Sequence, residues 1–553
     1  MTKADQAREQ CFDTDAVVIG SGFGGSVAAH RLTEKGYRVT VLEKGRRWNP
    51  EDFPKSNWNI PKSFWFPYLG CRGIFGMRLL REALVLHGVG VGGGSLVYAN
   101  TLFEPPQSVW DDPQWKGLEE WRTVMPERYE TARRMLGVVE NPKIGPADES
   151  LRRAAARRGR ESSFKHTPVG IYFGEPEVTV PDPYFDGQGP PRTGCNFCGG
   201  CMVGCRPGAK NTLDKNYLYL AEKAGAQVVP NTRVTFVEAL PEGGYRLHFT
   251  RSKGFLSSSK GTLTAAKVVF SAGVLGTVPL LMESRERGGL PFVSQQLGNV
   301  VRTNSEALLG VTSKSRKDLS EGIAIAAKVE IDEQTHFECV RFPKGSDVML
   351  LLGTLLTDGG PGLPRQLKWI GNIVRHPIDF LRLLKPWGKA ETGTVVMAMQ
   401  TADNHTRLVR KRQWLWPFSR TLTTQPNPDQ PGIPSYIPVA NEIVREVAAD
   451  LDAIPQSTLN EVLLDTSTTA HILGGCGIGA DADHGVIDSS GRVFGHEGLY
   501  VMDGSMISAN LGVNPSLTIT ALSEHVCSRI PAKDSVTVST SEPERVEAAY
   551  VSG

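Results

Sequence analysis

Three groups of residues in this chain have types and spacings that chemistry can use. The run Gly20-Ser21-Gly22-Phe23-Gly24-Gly25 carries the G-x-G-x-x-G spacing, with a carboxylate, Glu43, downstream. Glycines at those positions allow a tight turn, close approach of backbone to a pyrophosphate and close packing of helix on strand. An acid about twenty residues on accepts hydrogen bonds from ribose hydroxyls. The second group is Cys195, Cys198, Cys201 and Cys205, followed by Arg206-Pro207, the spacing by which ferredoxins hold iron-sulfur clusters. Thiolates are soft ligands, and Gly199, Gly200 and Gly204 let a loop wrap around a metal centre; reduced thiols packing a tight turn without metal are the plainer alternative. The third group is His471, ahead of Gly474-Gly475, and Asn514, in an Asn-Pro turn. An imidazole can take up a proton, and a carboxamide can fix a substrate oxygen without adding charge. His471 is one of 11 histidines, so the turn chemistry around it, rather than its type, singles it out.

The glycine loop needs a strand before it and a helix after it. Residues 16–19 are apolar and mostly β-branched, as a buried strand requires, and residues 25–35 have helical composition. A second strand, 38–42, delivers Glu43. With these elements in order, the free N–H groups and positive end of the helix form an anion site for a dinucleotide. A second cluster, Gly88, Gly90, Gly92, Gly93 and Gly94, runs directly into Ser95-Leu96-Val97-Tyr98-Ala99-Asn100. Backbone with so little side chain passes close to a flat ring and forms an anion nest. A nicotinamide has no need of a second cradle, whereas the longer FAD does, so FAD is the expected cofactor.

Composition removes several function classes. The 553 residues are too many for one simple core, and 40% hydrophobic content is enough for two globular lobes. Basic and acidic residues number 61 and 59, a net charge of +2, so no nucleic-acid partner is expected. Residues 1–10 are polar and charged, and no stretch of about eighteen apolar residues occurs, which leads us to expect a cytoplasmic protein, at most peripherally attached to a membrane. Cys11, Cys71, Cys339, Cys476 and Cys527 are scattered, and disulfides are not expected. Residues 534–553, rich in Ser, Thr and Glu, are expected to form a disordered tail.

Several segments together resemble a known family. Gly20–Gly25 with Glu43-Lys44-Gly45, Gly90-Val91-Gly92-Gly93-Gly94-Ser95, Val269-Phe270-Ser271-Ala272-Gly273, Asp503-Gly504-Ser505 and Asn514-Pro515-Ser516-Leu517-Thr518 are similar to the FAD-binding segments of the glucose-methanol-choline (GMC) oxidoreductases. They stand in that family's order and most resemble its bacterial cholesterol oxidase branch. The resemblance implies an α/β fold with a discontinuous Rossmann-like FAD-binding domain over 1–110, 195–305 and 465–533. It also implies an α+β substrate domain with an antiparallel sheet over 111–194 and 306–464. Implied cofactor contacts are Gly20, Gly22, Phe23, Gly24, Gly25, Glu43 and Lys44, then Gly88, Gly92, Gly93, Gly94, Ser95, Val97, Tyr98 and Asn100. Val234, in a strand over 228–234 whose backbone touches the adenine, joins Ala272, Gly273, Asp503, Gly504, Asn514, Pro515 and Ser516 to complete the set.

His471 and Asn514 match that family's catalytic His and Asn position for position. The reaction implied is FAD-dependent oxidation of a bulky apolar secondary alcohol, foremost a 3β-hydroxysteroid. Hydride passes to flavin N5, and O2 or another acceptor reoxidises the flavin. Cholesterol oxidases also use a carboxylate of the substrate lobe to move a proton during double-bond isomerisation. Glu338, in an alternating stretch that reads as a strand, is the candidate; Glu330 and Glu333 are rivals, and a solvated strand-face glutamate is the plain alternative. Two further readings stay open. One is a dehydrogenase that passes electrons to a quinone or cytochrome through an iron-sulfur cluster at the four cysteines, as some sugar dehydrogenases of the superfamily do near this point; zinc is another occupant for these cysteines, though no step of flavin chemistry requires it. The other is a non-redox flavoprotein, a lyase or photodecarboxylase.

Between Leu363 and Lys389, six Lys and Arg residues and one acid, Asp379, are interleaved with Leu, Ile, Val, Phe and Trp, and Pro377 predicts two short helices. A basic amphipathic segment of this kind either packs on the core with a solvated basic face or lies at a lipid interface. We expect it to form part of a lid over an apolar pocket.

Overall fold

In the computed structural model, residues 12–254, 257–413 and 416–533 are described; Cys11 and the expected tail, 534–553, lie outside the described residues. The strand Thr14–Ile19 pairs in parallel with Val39–Leu42 on one side and with the second half of a long strand, Ser258–Phe270, on the other. Gln227–Val229 extends the parallel part beyond Val39–Leu42, and Leu499–Val501 lies parallel beside the end of Ser258–Phe270. The first half of that long strand pairs antiparallel with Tyr245–Ser252, which pairs in turn with Thr232–Ala239. One seven-stranded mixed sheet therefore gathers strands from three distant stretches of the chain. The helix Phe23–Glu34 buries Val27, Ala28, Ala29 and Leu32 and packs against Tyr217–Lys223 and Ser516–Arg529. This is the Rossmann-like half of the molecule.

Residues 228–234 do not form the single strand expected. Pro230 has no N–H for a ladder and Asn231 sits at φ +57, so the chain breaks there. Gln227–Val229 stays on one edge of the sheet, and Thr232–Ala239, with buried Val234, begins the hairpin at the other.

The second large sheet is antiparallel throughout. In spatial order its seven strands are Gly353–Leu355, Ala453–Thr458, Ala307–Ser313, Gly393–Gln400, Thr335–Val340, Ile325–Glu330 and Lys165–His166. The helices Pro146–Ala156 and Pro438–Asp450 cover one face, where Leu309, Val311, Val329, Phe337, Cys339 and Val396 form a common core with them. Side chains alternate along a strand, so His336 and Glu338 point to the opposite face. That face carries Met397 and Met399, packed with Ala99 and Cys201 from the first half of the molecule. Among the described residues no helix is long and apolar enough to cross a membrane.

The glycine turn is shaped by contacts that leave no room for side chains. A Cβ on Gly20, which turns at φ +99, would collide with the Ser271 carbonyl, and one on Gly25 would collide with the carbonyl of Gly20. A Cβ on Gly22 would meet nothing. Gly25→Ala is therefore expected to lower the melting temperature of the cofactor-free chain by forcing backbone apart, while Gly22→Ala leaves it near wild type and lowers only the flavin retained after gel filtration. Thermal melts of stripped protein and flavin content of the purified variants check both halves of this contrast.

Candidate active site

The two glycine loops meet. Gly22 begins the helix Phe23–Glu34 without a side-chain cap, which leaves the first amides of that helix open to an anion. A Cβ on Gly93 would lie 2.7 Å from the Gly22 Cα. Gly92 and Gly93 both have positive φ, and Ser95 Oγ closes their turn by donating to the Gly92 carbonyl at 2.7 Å. Glu43 is buried: one oxygen accepts from the amide and hydroxyl of Ser21, the other from the Gly45 amide at 2.8 Å. It shapes the loop and keeps lone pairs for a ribose.

Asp503 organises the third wall. Its carboxylate accepts from the Ser505 amide and hydroxyl and from the Gly273 amide and Thr277 hydroxyl, which ties the turn Gly504–Met506 to Ala272 and Gly273. Gly273 then opens the helix Val274–Glu286 at φ +71, with open space where its Cβ would be. Asn100 is fully buried at φ +71, and among the described residues neither of its amide atoms has a partner; the Tyr98 hydroxyl is in the same position. Buried amide groups without partners are costly, and a bound group that hydrogen-bonds them removes the cost. The open helix end, the clearances at Gly22 and Gly273 and the orphaned Asn100 fit a dinucleotide lying across these loops. Gly24, Gly88, Gly94 and Val97 belong to the same turns, Phe23 stacks edge-on to Tyr98 at 5.3 Å, and Lys44 follows Glu43.

His471 leaves the strand Ser467–Thr469, which runs parallel to Ala83–Gly88 just before the second glycine loop. Its Nδ1 is 2.6 Å from Oε1 of Glu306, the residue that precedes the strand Ala307–Ser313. Glu306 also accepts from the Thr469 hydroxyl and the Ala470 amide, both at 3.0 Å, so the buried carboxylate is held on both oxygens. Burial disfavours a charged ring at His471, but the charge and hydrogen bond of Glu306, with Glu338 adding, outweigh it and raise the pKa.

Glu338 is completely buried, and among the described residues neither of its oxygens has a hydrogen-bond partner. Burial pushes its pKa up to about 7; His471, Lys328 and the Asn514 amide are near enough to favour the ionised form without overcoming that effect. Asn514 is buried in the turn before the helix Ser516–Arg529, capped by Pro515, and its Oδ1 is also without a partner. His336 lies 3.8 Å from Glu338 and is kept neutral by burial. Of the rival acids, Glu330 is held by Lys328 at 3.0 Å and Glu333 is exposed in a turn.

Two residues of this region carry no motif. Glu306 sits in Arg302-Thr303-Asn304-Ser305-Glu306, a wholly polar run that reads as a surface loop yet is buried throughout. Lys210 is buried, and its ammonium donates to the carbonyls of Leu96, Tyr98 and Cys201. Among the described residues no three His, Cys, Asp or Glu side chains are placed to hold one metal ion, and the four clustered cysteines are no exception. They line a cavity instead.

The basic apolar segment forms the helices Arg365–Arg375 and Pro377–Leu384, divided at Pro377. The expected lid is not what these side chains make. Ile373, Phe380 and Leu383 pack inward on Leu355 and Ile454, but Leu367, Ile370, Val374, Ile378, Leu381 and Leu384 are exposed rather than folded over a pocket. Each helix carries one broad apolar arc, and only part of it finds a partner.

Comparison with known proteins gives the following. Two family models described as GMC oxidoreductase match residues 191–297 and 388–523, and one described as an NAD(P)-binding Rossmann-like domain matches 18–48. The chain is 44% identical over 555 residues to a cholesterol oxidase of Acinetobacter baumannii, covering 98% of this chain and 99% of that one. It is 45% identical over 536 residues to a cholesterol oxidase of Mycobacterium tuberculosis, covering 94% and 92%. Among solved structures, a pyridoxine 4-oxidase from Mesorbium loti matches with a TM-score of 0.60 at 15% identity over 93% of this chain and 99% of that one, which speaks for the fold alone.

Glu306→Gln removes the charge that raises the His471 pKa while keeping the size of the side chain. If His471 acts as the proton acceptor, its neutral form is the active one, so the acid limb of the kcat profile moves to lower pH in the variant. Loss of ring orientation lowers kcat about 10–100-fold. Steady-state pH profiles of both proteins check the sign; an acid limb that stays in place would separate Glu306 from the titration of His471.

Proposed function

The chain belongs to the GMC oxidoreductase family, and we propose on that premise that it oxidises the 3β-hydroxyl of a steroid to a ketone and then isomerises the double bond. The observation that carries this reading is the Glu306–His471 pair beside Asn514 and a buried, unpartnered Glu338. The cholesterol oxidases, similar along nearly the full length, support the steroid class, with O2 or another acceptor taking the electrons.

The residues that would hold FAD are those of the two glycine loops, Asn100, and the turn that Asp503 ties to Gly273. Bound FAD supplies the hydride acceptor. The chain supplies the rest. Glu306 fixes Nδ1 of His471, which leaves Nε2 to take the hydroxyl proton as the C–H bond breaks. The unpartnered Oδ1 of Asn514 can accept from the substrate hydroxyl, and its side-chain N–H donates to the substrate oxygen as charge develops. Glu338 titrates near neutrality because it is buried, which suits a group that must accept a proton from carbon and return it.

Substrates of this class partition into bilayers, and the paired helices 365–375 and 377–384 offer a face that fits one. Val374 is 75% exposed and Trp387 67% exposed, in line with the other outward Leu and Ile residues. Arg375, Arg382 and Lys385 stand exposed beside them, placed to meet anionic headgroups. Leu463 and Leu464 extend the patch along the helix Leu459–Leu464, which leads toward His471, and Gln366 donates to the Leu463 carbonyl. We propose that this face rests on the lipid surface from which the substrate is drawn.

Anaerobic mixing of the FAD-loaded enzyme with a 3β-hydroxysteroid is expected to bleach the oxidised flavin's visible band; simple secondary alcohols that bleach it equally well, or no bleaching by any alcohol, would defeat the reading. In Glu338→Gln, oxidation persists and the unisomerised ketone accumulates. In wild type the isomerisation step rises with pH through about 7, as the carboxylate form becomes populated. Product analysis by chromatography separates the two steps. Replacing Leu367, Ile370 and Val374 by Ser lowers turnover of steroid in anionic vesicles about tenfold and spares detergent-dispersed steroid; equal losses on both would remove the membrane face.

A further inference from the structure

The four clustered cysteines are not absorbed by alcohol oxidation. Cys195, Cys198, Cys201 and Cys205 all line one cavity, about 310 Å³ of atom-free space with its mouth included. They stand around this space, and among the described residues no three of them are placed to meet on one ion. A space framed by four sulfurs is what a multi-atom centre needs and what a mononuclear metal does not.

Backbone amides are already aimed at the sulfurs. The Phe197 amide donates to Cys195 Sγ at 3.4 Å, and those of Gly200 and Ala324 favour the thiolate forms of Cys198 and Cys201. Positive φ at Phe197, Gly199 and Gly204 wraps the loop around the cavity. Lys210 lines the same cavity, fully buried. Metal binding takes the place of the thiol protons.

We propose that this cavity is the site of a four-iron, four-sulfide cluster ligated by Cys195, Cys198, Cys201 and Cys205. Each thiol gives up one proton as its sulfur bonds one iron, and no electron changes hands in the assembly from ferrous–ferric cluster and protein. Four thiolates around such a core leave a net negative charge, which the Lys210 ammonium offsets. Through its donations to Leu96 and Tyr98, the same lysine joins the cluster loop to the second glycine loop, so the centre sits against the wall of the flavin site.

The test uses the full chain, purified without oxygen and treated with equal amounts of ferrous and ferric iron, sulfide and thiol, then desalted. Iron, acid-labile sulfide, zinc and acid-released FAD are measured on one sample. The expected result is about four iron and about four sulfide per chain, with a low-temperature EPR signal appearing on reduction by dithionite. In the double variant Cys195→Ser, Cys201→Ser, iron falls below about one per chain while FAD content holds. Wild-type chain that carries FAD but retains less than about one iron, or takes up zinc in its place, overturns the proposal. So does unchanged iron in the double variant. Because FAD is counted separately, failure here leaves the alcohol-oxidation reading standing.

Discussion

The contact between Glu306 and His471 is the constraint around which the site is built. It joins a residue at the start of a strand in the antiparallel sheet to one that leaves the strand beside the second glycine loop. A carboxylate taken out of water is costly, and one ion pair seldom repays that cost. Here the hydroxyl of Thr469 and the amide of Ala470 complete the carboxylate's hydrogen bonding. The two halves of the molecule are thereby registered at the point where substrate oxygen must sit, and the imidazole is oriented before any substrate arrives.

The same burial acts in opposite ways on neighbouring groups. Glu306, held on both oxygens, raises the pKa of the histidine it faces; Glu338, buried without partners, has its own pKa raised toward neutrality. His336, on the same strand face as Glu338, is driven to its neutral form. Pairs of titratable groups pushed apart in this way mark a site that divides acid and base roles. Asn514 adds a dipole to this space without adding a charge, and its amide favours the ionised form of Glu338.

Much of this was legible in the chain. The strand, glycine turn, helix and acid at residues 14–43 follow local rules, because Gly20, Gly24 and Gly25 are demanded by backbone contacts that a side chain would violate, while Gly22 keeps open space. Pro377 likewise divides the basic segment by simple loss of a donor. The break at Pro230 and Asn231 went unread because the apolar run on either side of it is continuous in pattern, although the two strands end on opposite edges of the sheet. Glu306 was invisible for a deeper reason: a polar run such as 302–306 is buried only because distant segments supply its partners, among them the carbonyl of Ser508 for Arg302 and that of Val513 receiving Asn304. Which part of the apolar arc the amphipathic helices turn outward is also a tertiary matter, since the arc is wider than the surface that covers it.

A crystal structure of the FAD-loaded enzyme with a 3-ketosteroid product tests the central claim most directly. The account predicts the ketone oxygen within about 3 Å of both His471 Nε2 and the Asn514 amide, with Glu306 still holding Nδ1 and Glu338 beside the steroid ring that isomerises. A steroid bound with its oxygen remote from His471 and Asn514, or a histidine turned away from Glu306 in the complex, would contradict it.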